Sequence, residues 1–249
     1  MSNPTTFDLT SPATAAVSEG SSTTTTREEG TIATARSKRS KALTLRRGFL
    51  VAAPVLAGLF ATVGAIADPA AGVSGDAMLR VYFTHPEALQ FKSLAYHWAY
   101  AFWIVPAMLI VPMVKARGAW LATITGFIGF LGVATMPGLL ITDWFDSAIG
   151  AAYGMEGHRK VAEAMQGMWG IPVMITPGIV ALFLALPLTM TTLWRAGLAR
   201  WWGLAAAVAA FVAFMVSNAT WPGTVAATLC LGVVSLVLAR ATDPERRTA

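Results

Sequence analysis

The stretch AYHWAYAFWIVPAMLIVPMVKARGAWLATITGFIGFLGVATMPGLLITDWFD, residues 95–146, decides the fold class of this chain. It holds two long apolar segments, 95–114 and 119–142, joined by the basic link Lys115-Ala116-Arg117-Gly118. A helix needs about 20 apolar residues to cross about 30 Å of hydrocarbon, and each segment meets that length. A helical hairpin of this kind crosses a bilayer twice. It carries His97 at one polar end and Asp143 and Asp146 at the other, and brings both ends to one face.

Composition extends the reading to the rest of the chain. Hydrophobic residues make up 55% of it and charged residues only 12%, with a mean hydropathy of +0.60. Soluble domains carry about 25% charged residues, so the apolar surplus has to face lipid. The single cysteine, Cys230, sits in an apolar run, which excludes an internal disulfide and any multi-cysteine metal or iron–sulfur site.

Outward from the hairpin, residues 1–47 read as a disordered, basic, cytoplasmic tail. The first part is rich in Ser, Thr, Gly and Ala and has too little apolar surface to offset ordering entropy. Arg36, Lys38, Arg39, Lys41, Arg46 and Arg47 then precede the first apolar run, 48–67. This junction has two readings. One is a retained first span with its basic flank inside. The other is a cleaved signal, since Arg46-Arg47-Gly48-Phe49-Leu50 has a twin-arginine look and Ala65-Ile66-Ala67 resembles a cleavage site. The retained span is favoured, because arginine pairs flank many first helices.

Four further features order the remainder. Residues 68–94 read as a loop containing His85-Pro86-Glu87. Residues 143–168 read as a second loop, punctuated by Gly150, Gly154 and Gly157, with a short amphipathic helix over 158–168 in which Arg159 and Glu163 stand four apart. Spans follow at 169–194, 201–216 and 224–239, then a charged tail, 241–249. Pro137-Gly138 predicts a bend in the third span, and Gly126, Gly129 and Gly132 predict a small face for another helix. The expectation is therefore an all-α, polytopic integral membrane helical bundle over 48–240, with six transmembrane helices and both termini cytoplasmic.

Charge orients it. With the amino terminus inside, 14 of the 18 basic residues fall on the inner side, including Lys115, Arg117, Arg195, Arg200 and Arg240 beside the spans. Positive charge flanks the cytoplasmic ends of spans. The outer side keeps Arg80, Lys92, Arg159 and Lys160 against seven acidic residues, so it is mildly anionic. A multi-pass protein of a bacterial-type cell membrane fits this pattern.

All three histidines, His85, His97 and His158, fall on the outer side with Asp143, Asp146, Glu156 and Glu163. Histidine with carboxylates suits a divalent metal, but no pair has a ligand spacing, so no metal site and no cofactor are assigned. A haem would need two facing histidines, and His97 has no buried partner in another span. The candidate binding residues are His97, Asp143, Asp146, His158 and Glu163. His97 and Asp143 make the sharpest pair, at matching depth on the two arms of the hairpin and able to respond to protons or cations. The plainer alternative places them as interfacial side chains reaching water.

No phosphate-binding loop, nucleophile elbow or kinase signature is present. The basic tail lacks interleaved aromatic residues, so nucleic acid is not an expected partner. The partners are the lipid bilayer and, as a candidate, other membrane subunits. The favoured function is a non-enzymatic small transporter or ligand-binding bundle with its polar mouth on the extracytoplasmic side. The alternatives are an accessory subunit of a larger complex and a membrane enzyme or redox subunit using the outer histidines and carboxylates.

Overall fold

The computed structural model describes the backbone of residues 25–243 apart from residue 116, and the side chains of residues 41–243 apart from 116 and 139. Seven α-helices are described: α1 (Thr25–Ala67), α2 (Gly75–Thr84), α3 (Pro86–Leu109), α4 (Ala119–Gln166), α5 (Gly170–Arg195), α6 (Trp202–Val216) and α7 (Trp221–Ala241). No strand occurs among the described residues. The chain divides into two units, residues 1–43 and 44–249, and the packing below belongs to the second. Residues 1–24, the greater part of the Ser/Thr-rich tail, lie outside the described residues, as do Arg246 and Arg247.

The membrane character is read from both faces of the helices. On α7, Leu231, Val234 and Leu238 are buried, whereas Leu229 and Leu236 on the other side are 70% and 60% exposed. A helix apolar all round has no water-facing side, so its outer face belongs in lipid. Five helices, α1, α3, α4, α5 and α7, are long and apolar enough to cross a membrane. The 15 residues of α6 rise about 22 Å, short of the roughly 30 Å core.

Antiparallel neighbours fix the ends of the bundle. Arg47 Nη2 donates to the Ala239 carbonyl at 3.3 Å, and the Thr62 and Thr228 hydroxyls meet at 3.2 Å. The middle of α1, at Arg47, therefore lies beside the end of α7. The Thr125 and Thr192 hydroxyls meet at 2.9 Å, which pairs the start of α4 with the end of α5. The link before α4 then lies against Thr192 and Ala196, and Arg200 and Arg240 line one cavity between the α5–α6 turn and α7. One end of the bundle is thus basic. Ser93, Asp143 and the turn 217–220 lie at the other.

Two segments read as loops are helical. Residues 75–84 form α2, and α3 starts at Pro86 rather than near Ala95. Proline fixes φ and lacks the amide that a first helical turn cannot pair. His85-Pro86-Glu87 is therefore a helix start, with an acidic residue in its first turn.

The second loop is the continuation of α4. Inside it the backbone leaves helical dihedrals at Gly154 (φ 67, ψ −172), not at Pro137. That conformation is almost confined to glycine. The chain doubles back there. Asp146 and His158 would stand about 18 Å apart along a straight helix, yet Asp146 Oδ1 and His158 Nε2 are 3.4 Å apart. The expected amphipathic helix is thus the returning arm, and its Arg159 pairs with Asp76 on α2 instead of Glu163. The predicted glycine face is used within the chain. A Cβ on Gly132 would sit 2.5 Å from Ala181 Cβ and 2.9 Å from Ile104 Cδ1, so α3, α4 and α5 meet there at near-backbone distance.

Candidate functional site

Asp68 follows the last residue of α1, and its Oδ1 accepts the Ala70 amide at 3.0 Å. This local bond turns the chain away from the membrane helix and aims the carboxylate at α2 and α3. Tyr82 on α2 donates its hydroxyl to Asp68 Oδ1 at 3.2 Å. Lys92 on α3 lies 3.5 Å from Asp68 Oδ2. Its ammonium donates to the Tyr82 hydroxyl and stands 4.4 Å from the Tyr82 ring centroid. The Lys92 and Asp68 side chains are only 14% and 20% exposed, so each charge depends on the other for compensation. Burial, above all, pushes the Tyr82 phenol up, against the opposing pull of Lys92. Tyr82 therefore keeps its proton and remains the donor to Asp68.

Asp143 enters from α4. Its Oδ2 accepts the buried Ser93 hydroxyl at 2.6 Å. One turn further into α3, Tyr96 donates to the Ala219 carbonyl at 3.3 Å, which ties the site to the α6–α7 turn. Asn218 and Ala219 hold positive φ in that turn, at 50° and 55°. Asp68, Tyr82, Lys92, Tyr96, Asp143 and the α6–α7 turn border a cavity of about 390 Å³, walled further by Tyr100, Leu140 and Phe214, with Ser93 behind Asp143. Ligand sites are typically about 300–1,000 Å³, largely apolar with a few placed polar groups. The arrangement can hold a small solute between an ion-paired rim and an aromatic wall.

The two arms of α4 on either side of Gly154 brace α2 from behind. Ser147 Oγ donates to the Tyr82 carbonyl at 3.0 Å. The Phe83 ring lies against Gly150 so closely that a Cβ there would overlap it. His158 is buried beside Phe83, with ring centroids 5.4 Å apart. Its two nitrogens lack a well-formed hydrogen bond, and Nε2 stands 3.4 Å from Asp146 Oδ1.

Of the predicted residues, Asp143 alone borders the cavity. His97 is half-buried one turn deeper than Ser93 and packs edge-on against Trp98 at 5.6 Å. The hydroxyl that meets Asp143 is that of Ser93, which takes the place expected for His97. Asp146 and His158 come together, but under α2 and outside the cavity. Glu163 is exposed on the returning arm. Sequence reasoning missed Asp68, Tyr82, Lys92 and Ser93. The available signal is position: Asp68 follows the last residue of α1 and Lys92 just precedes the apolar segment 95–114, and an ionisable residue at the margin of a span marks a site by default. No group of three His, Cys, Asp or Glu side chains gathers to hold a metal among the described residues.

Comparison with protein-family models, with curated proteins and with solved structures finds no match to this chain.

Proposed function

We propose that this is a multi-pass membrane protein, of the small-transporter or ligand-binding kind, that takes a small polar solute into the cavity at the non-basic end. The observation that carries this reading is the convergence of Asp68, Tyr82, Lys92 and Asp143, from the end of α1 and from α2, α3 and α4, on one cavity of about 390 Å³. A bundle with no binding task has no reason to bury an ion pair there, since desolvating two charges costs several kcal/mol per ion.

In this reading both termini are cytoplasmic, the chain crosses six times, and the mouth opens to the extracytoplasmic side of a plasma membrane. Parity supports six crossings. α5 ends at the basic end and α7 starts at the opposite end, so the helix between them traverses the bundle. Its shortfall in length is of the kind that local bilayer thinning and interfacial Trp201 and Trp202 accommodate. Retention of α1 is supported by its packing: a Cβ on Gly58 would sit 2.5 Å from Thr228 Oγ1, so α1 is seated against α7. Neither the accessory-subunit nor the enzyme alternative gains a comparable observation, because the glycine face is filled within the chain.

The reading is checked on the purified full-length chain in detergent. Melting is followed with millimolar tetramethylammonium chloride, glycine betaine, sodium acetate and glucose. At least one solute is expected to raise the midpoint, because a ligand at 100 times its Kd adds about 2.7 kcal/mol of stability. A panel without any shift contradicts the reading.

A further inference from the structure

The charges and rings of this cavity specify more than a polar solute. Lys92 is already committed: Asp68 lies 3.5 Å away, and its ammonium is bound to the Tyr82 hydroxyl and laid over that ring. Asp143 is different. Its Oδ2 accepts the neutral Ser93 hydroxyl, and among the described residues no basic nitrogen comes within ion-pair distance of it, Lys92 reaching it only through longer-range attraction. Asp68, Lys92 and Asp143 together leave one negative charge uncompensated at the cavity. Salt cannot screen a partly buried carboxylate as well as an exposed one, so the site favours a single positive charge.

Part of the same cavity's wall is aromatic. Tyr96 and Tyr100 stack with centroids 6.1 Å apart, and Phe214 meets Tyr96 edge-on at 6.2 Å. All three line the cavity with Asp143. Ring faces attract cations through their quadrupole, most strongly in a desolvated setting, and soft organic cations are held in this way. A small inorganic cation would want several oxygen ligands, and among the described residues no three acidic, histidine or cysteine side chains gather around one point. A carboxylate ligand would meet Asp143 with like charge.

We infer that the cavity is selective for a monovalent organic ammonium ion, seated between the Asp143 carboxylate and the Tyr96–Tyr100–Phe214 wall. This rests on the solute-binding reading above and names its ligand class.

The test compares the full-length protein with Asp143→Asn and with Tyr100→Leu. Asp143→Asn keeps an acceptor for Ser93 and removes only the charge. Tyr100→Leu keeps the charge and removes a ring. Melting is measured in detergent with tetramethylammonium and choline chlorides, potassium chloride, glycine betaine and sodium acetate. The expected result is a rise in the midpoint with both ammonium ions and none with potassium or acetate. Apparent affinity falls about tenfold or more in each variant, the scale of one desolvated cation–aromatic contact. A shift by acetate, by betaine alone or equally by potassium overturns the ammonium assignment and leaves solute binding standing. An ammonium shift unchanged in both variants does the same. No shift with any solute overturns both. If Asp143→Asn does not fold, Tyr100→Leu decides alone.

Discussion

Lys92→Met lowers the melting midpoint of the purified protein by on the order of 10 °C. Methionine replaces the apolar stem of Lys92 but leaves the Asp68 carboxylate, 20% exposed, without its counter-charge. Breaking a buried ion pair from one side costs about 3–5 kcal/mol, because the remaining charge stays desolvated. For a chain of this size each kcal/mol moves the midpoint by about 2–4 °C. The double variant Lys92→Met/Asp68→Asn recovers most of the loss. Its amide oxygen still accepts from Ala70 and Tyr82, and no orphan charge remains. Thermal melts of the wild type, both single variants and the double variant measure this coupling. A Lys92→Met midpoint within a degree or two of wild type would show that the pair is solvated and the mouth wide open.

The second large effect lies in the membrane core. Gly132→Leu is expected to destabilise the bundle by about 3 kcal/mol, the upper part of the usual range for overpacking. Even alanine there would bring a Cβ to 2.5 Å from Ala181 Cβ. Ala181 is fully buried and has no flexible end to move aside, so α4 and α5 must separate. Gly232 on α7 is the control. A Cβ there meets nothing within 4 Å, and Gly232→Ala should be neutral or stabilise by up to about 1 kcal/mol through helix propensity. Comparable losses from Gly132→Leu and Gly232→Ala, followed by the circular-dichroism melt, would remove the case for close approach at Gly132.

The contrast between these two sites explains what the sequence could disclose. Lipid imposes a length and an apolar composition on each crossing, and both are visible residue by residue. The hairpin of residues 95–142 was therefore legible, as was the gathering of basic residues at one end. α6 is the exception, since 15 residues satisfy the composition and not the length. The site was much less legible. Asp68 looked like the residue after a cleavage point, Tyr82 and Lys92 like loop residues, and Ser93 had no distinguishing neighbour. Their meeting depends on α2 folding back over the mouth, which the brace at Ser147, Gly150 and His158 sets. Three glycines in 150–157 were read as loop punctuation. Only Gly154 breaks the helix, through a positive φ, whereas Gly150 makes room for Phe83. Periodicity does not separate these roles. Asp143 stands out in the sequence because it ends an apolar run. His97 stands out because an ionisable residue draws attention that the hydroxyl of Ser93 does not.

The charged cavity is placed on the face opposite the basic end, and cysteine accessibility in intact cells, with Cys230 replaced by serine, reports which face that is. Ala71→Cys is exposed at the cavity rim, and Gly197→Cys marks the opposite, basic end. A membrane-impermeant thiol reagent is expected to label Ala71→Cys in intact cells, and Gly197→Cys only after the membrane is permeabilised. Labelling of Gly197→Cys in intact cells, or protection of Ala71→Cys until permeabilisation, would contradict the orientation and with it the outward-facing mouth.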